Sequence, residues 1–73
     1  MAVSPTDVRE TVAAVWRMEA AKIVATLTRA VGDVGRAEDL SQEALVDALD
    51  QWPRTGVPRN PGAWLTTVAK SKA

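Results

Sequence analysis

The chain has 73 residues, nine Lys or Arg against nine Asp or Glu, and no cysteine or histidine. That length carries one domain at most, here residues 1–73, with a thin core. It excludes a disulfide, a thiolate metal site, and any site built on the commonest general base and zinc ligand. No apolar run approaches the roughly eighteen residues of a membrane span. The opening "MAVSPTDVRE" lacks the basic start and apolar stretch of a secretion signal, so the expected location is the cytoplasm.

Charge is unevenly spread. Residues 1–32 hold four bases and three acids, residues 33–50 hold six acids and Arg36, and residues 51–73 hold Arg54, Arg59, Lys70 and Lys72 with no acid. Solvated surface charge produces such blocks in many small proteins, but acid in the middle and base at the end also suits two faces with different partners.

The first predicted helix opens on Ser4 as cap, Pro5 in the first turn and Asp7 at the capping-box position. Val8, Val12, Val15, Ile23 and Leu27 recur at helical spacing, widened by Trp16 and Ala20. Ala14, Met18, Ala21 and Ala25 form a second apolar side, which predicts two neighbours for this helix. It runs to about Val31, where "GDVG" breaks it.

The second helix is expected to start from Asp33 and to end at Pro53. At about 100° per residue, with Asp39 at zero, Asp50, Glu43 and Asp47 fall near 20°, 40° and 80°. Val34, Ala37, Ala44, Leu45, Ala48 and Trp52 fall between about 140° and 240°. Ala37, Leu45, Ala48 and Trp52 should therefore pack on Val12, Val15, Trp16 and Ile23. Any surface helix sets polar against apolar, but four neighbouring carboxylates repel. Val46, near 340°, also stands inside the acidic ridge. An apolar residue among uncompensated acids suits contact with a basic partner.

"PRTGVPRN" reads as a turn, and Asn60–Pro61 as a cap followed by a first-turn proline. The third helix, "PGAWLTTVAKSKA", meets no stop signal before Ala73, as expected of a piece of a longer protein. Trp16 and Trp52 lie on core stripes. Trp64 could be core too, but it stands among bases, as in a single-strand stacking surface.

Nothing in the chain points to catalysis. The acids line one exposed ridge without pocket-forming sequence, and they do not follow a calcium loop. There is no phosphate-binding glycine loop and no nucleophile elbow. No catalytic residue, metal site or cofactor is assigned.

"AEDLSQEAL" resembles the second helix of region two of bacterial RNA polymerase sigma factors, with its acidic-leucine-x-glutamine-glutamate run. "NPGAWLTTVAKSKA" is similar to the following segment of the extracytoplasmic-function group, and "VWRMEAAKIV" to a subgroup with an extra C-terminal domain. Order, spacing and the intervening proline-glycine turn match from about Val12 to the end. The resemblance implies an all-α, compact three-helix domain with a long first helix. It implies docking of Asp39, Gln42 and Glu43, with Val46 and Asp47 nearby, on the clamp coiled coil of the largest polymerase subunit. It further implies that Arg59, Trp64, Lys70 and Lys72 face the non-template strand of the promoter −10 element, and that an anti-sigma protein or inhibitory domain exists. The family often has an arginine-asparagine pair where this chain has Lys70-Ser71. Its base-reading loop and −35-binding domain would lie beyond Ala73, so weak, unselective binding to single-stranded DNA is expected of this chain alone. The alternative is a helical adaptor with an acidic docking helix and no DNA role.

Overall fold

The computed structural model describes residues 5–73. The expected cap Ser4 lies outside them. The chain forms three helices, α1 (Pro5–Val31), α2 (Val34–Thr55) and α3 (Pro61–Ser71), each touching the other two. The all-α, three-helix architecture is the one the sequence predicts.

α1 has 27 residues. At about 1.5 Å per residue it spans roughly 40 Å, which accounts for the molecule's longest dimension of 43 Å against 20 and 18 Å for the others. It stops because Gly32 takes φ 76°, the left-handed conformation that other residues resist. The Gly32 N–H donates to the Thr28 carbonyl at 2.7 Å. Asp33 follows in extended backbone, and its Oδ1 accepts from the Arg36 N–H at 2.9 Å, capping α2 as expected.

Pro53 does not end α2, which continues to Thr55. A proline removes one helical donor, the bond to the carbonyl four residues back. The three carbonyls that follow are all taken up. Arg54 Nε donates to Asp50 O at 3.2 Å, Thr55 Oγ1 to Gln51 O at 3.1 Å, and the Gly56 N–H to Trp52 O at 2.8 Å. The helix stops at Gly56, whose φ of 88° breaks the pattern. At α3, Asn60 Oδ1 accepts from the Ala63 N–H at 3.1 Å, with Pro61 in the first turn, as the sequence predicts.

The core joins Val8, Val12, Ile23 and Leu27 of α1, Ala37, Leu40, Ala44, Ala48 and Trp52 of α2, and Leu65 and Ala69 of α3. Three alanines and Ser41 form the seam of α2 that meets its neighbours. Ser41 is fully buried, and its hydroxyl donates to the Ala37 carbonyl at 2.7 Å, so no polar atom is stranded there.

Three expectations shift. Leu40, near 100° on the wheel, is buried, whereas Leu45 is only partly so, together with Val15 and Trp16. The buried arc therefore runs from about 100° to 220°, rotated toward the acidic side. Val34 opens α2 beside the connecting turn, before the first buried position, and is 57% exposed. On α1, Met18 is 82% exposed, and Ala21 and Ala25 are also exposed. α2 and α3 both meet the main stripe of α1 and its flanks, which leaves the second apolar side uncovered.

The rotation sets an order of costs. Leu65, with no exposed surface, should lose about 2–5 kcal/mol on truncation to alanine. Leu45→Ala should lose less, because part of that side chain is already wet. Urea denaturation of the two variants measures the difference, and equal losses would place Leu45 deeper than this packing allows.

Candidate functional site

The acidic ridge of α2 is not uniform. Asp39, Gln42, Glu43 and Val46 are exposed, Val46 by 62%. Among the described residues, Asp39 and Glu43 form no ion pair. Together with Asp33, Arg36 and Leu40 they line a shallow depression at the start of α2. The other two acids are compensated. Asp50 Oδ2 accepts from Arg54 Nη2 at 2.7 Å along the same helix. Asp47 Oδ2 lies 3.0 Å from Lys72 Nζ, across the α2–α3 contact.

The wheel explains the division. Asp47, near 80°, borders buried Leu40 near 100°, so its carboxylate turns toward α3. Its side chain is 32% exposed and that of Lys72 30%, against 70% and 68% for Asp50 and Arg54. The row of four uncompensated acids expected from the sequence is thus two free acids around an apolar side chain, flanked by two pairs.

The basic segment divides in the same way. Arg54 and Lys72 are paired, while Arg59 and Lys70 are exposed and, among the described residues, without an acidic partner. Arg59 precedes α3 and Lys70 lies in its last turn, about 16 Å apart along the helix at 1.5 Å per residue. Trp64 and Lys70 fall about 120° apart around α3, so they do not form one strip. Trp64 is half-buried against the core, its ring centroid 5.3 Å from that of Trp52 at an interplanar angle of 68°. This edge-on pairing leaves part of Trp64 at the surface.

One contact had no signal in the sequence. Glu19 of α1 reaches the first turn of α3, where a Cβ added at Gly62 would lie 2.9 Å from its Oε2. A carboxylate over a helix N-terminus is favourable, and glycine at this position leaves room for it. Glu19 thereby helps to fix the start of α3, and with it Trp64, against α1. Among the described residues there is no cluster of three or more side chains able to hold a metal ion, and no helix long and apolar enough to cross a membrane.

Comparison with known proteins gives this geometry a context. An uncharacterised protein of Rhizobium meliloti is 47% identical over 45 residues, covering 62% of this chain but only 11% of that protein. The chain therefore spans about a tenth of the length of this curated relative. No solved structure matches. The family model for sigma-70 region 2 matches residues 15–73, which take in most of α1, the whole acidic ridge and all of α3, and the chain belongs to that family.

Proposed function

We propose that this domain serves an RNA polymerase sigma factor of the extracytoplasmic-function type, docking on core polymerase through α2 and helping to recognise and open the promoter −10 element through α3. The observation that carries this reading is the unpaired Asp39 and Glu43 around exposed Val46, on the face of α2 turned away from the core. Two like charges left unpaired beside an apolar side chain gain little from water and much from a basic surface with an apolar patch. Gln42 extends the same face with a hydrogen-bonding group. The partner proposed for it is the clamp coiled coil of the largest polymerase subunit, in the cytoplasm. An anti-sigma protein or inhibitory domain would act by covering this ridge.

On the DNA side, Arg59 and Lys70 offer two free charges and Trp64 one partly exposed ring. A second reading, a helical adaptor without a DNA role, draws support from the pairing of the other two bases with acids. Transcription in vitro separates the two. The protein in its full-length context, added to core polymerase, should produce initiation at a defined promoter, and open-complex formation should be visible as permanganate-reactive thymines near −10. Binding to core polymerase without promoter-specific initiation would favour the adaptor.

A further inference from the structure

We infer that the Asp47–Lys72 ion pair is a latch that couples the polymerase-facing and DNA-facing surfaces of this domain, each partner loosening it for the other. The inference rests on the proposed function above, because it takes the acidic ridge and the α3 bases as the two binding surfaces. Asp47 is one helical turn beyond Glu43 on the ridge, and Lys72 caps α3 among the bases. Their charged atoms are 3.0 Å apart. While they are paired, Lys72 is not available to a phosphate, and Asp47 is not available to a basic partner.

The pair is suited to exchange. Both side chains are about one-third exposed, so water and a competing charge can reach them. A pair at this depth contributes on the order of 0–1 kcal/mol, too little to lock α3 and enough to bias a competition. A basic coiled coil seated on Asp39 and Glu43 brings positive charge within one turn, about 6 Å, of Asp47 and competes with Lys72 for it. Lys72 then becomes free for the strand. Linkage makes the effect reciprocal: a phosphate that draws Lys72 away exposes Asp47 to the coiled coil. The Asp50–Arg54 pair is the useful contrast, because it lies within α2 and joins no second helix.

The test uses near-isosteric charge removal and fluorescence anisotropy with a labelled single-stranded oligonucleotide at low salt. Asp39→Asn and Asp47→Asn each delete one ridge charge, but only the second frees a lysine. Asp47→Asn should raise affinity about three- to fivefold, and Asp39→Asn less than about twofold. In a Lys72→Gln background the two substitutions should become equivalent. Circular dichroism of each variant confirms that the helices persist. If Asp47→Asn gains no more than Asp39→Asn while Lys72→Gln still weakens DNA binding, the latch is wrong and the DNA surface stands. If Lys72→Gln changes nothing in either background, or no variant binds the oligonucleotide, the role of Lys72 at the DNA surface fails and the latch falls with it.

Discussion

Replacing Asp39 and Glu43 together by arginine should nearly abolish binding to core polymerase. Both carboxylates are exposed and unpaired, one turn apart on α2, so the substitution turns two attractions into two repulsions without disturbing the core. Opposed like charges at an interface cost several kcal/mol, and about 3 kcal/mol is already more than a hundredfold in affinity. The same reversal at Asp50 should do much less, because Arg54 already shares that charge. Parent binding should also weaken as salt rises, since the attraction is between exposed charges. Surface-immobilised core polymerase titrated with parent and variant measures all three effects. A double reversal that binds like the parent would remove α2 from the interface.

Much of this arrangement was legible in the residues, and the places where legibility failed share a cause. Helix starts at Asp33 and Asn60 were readable because a cap is a local event, one side chain meeting an N–H three residues on. The stop at Pro53 was misread because a proline near a helix end removes one bond, and whether the helix survives depends on who takes up the next carbonyls. Arg54, Thr55 and Gly56 do so here. The wheel placed Val46 correctly among exposed positions, because it needs only the helix's own period. It misjudged Leu40 and Leu45 by a modest rotation, because the direction of the core is set by where α1 and α3 lie. The ion pair of Asp47 with Lys72 and the approach of Glu19 to Gly62 join residues 25 and 43 positions apart in sequence, and no local pattern carries such contacts. The candidate site suffered most: acids and bases that looked like separate faces meet where α2 crosses α3.

Trp52→Ala should be the most damaging single truncation in the domain. Trp52 is 1% exposed and is the largest side chain of the buried core, seated where the end of α2 meets α3. Removing a buried tryptophan costs about 3–5 kcal/mol through lost transfer energy and the cavity left behind. For 73 residues a total stability of about 4–11 kcal/mol is ordinary, so the variant should be largely unfolded or close to it. Trp52→Phe makes the argument sharper. It keeps an aromatic body and removes the indole N–H, which is buried without a hydrogen-bond partner. A buried donor left unpaired already costs about 1–3 kcal/mol, although the nearby ring face of Trp64 can return part of that as a weak contact. Phenylalanine should therefore lose clearly less than alanine, the smaller ring being offset by the polar group no longer stranded. Urea midpoints followed by far-ultraviolet circular dichroism order the three proteins, with parent above phenylalanine above alanine. Core polymerase binding by folded Trp52→Phe should match the parent, because the ridge residues lie on the opposite side of α2. An alanine variant as stable as the parent would mean that α3 closes over the gap, and that α2 and α3 meet less tightly than the 5.3 Å contact between their tryptophans implies.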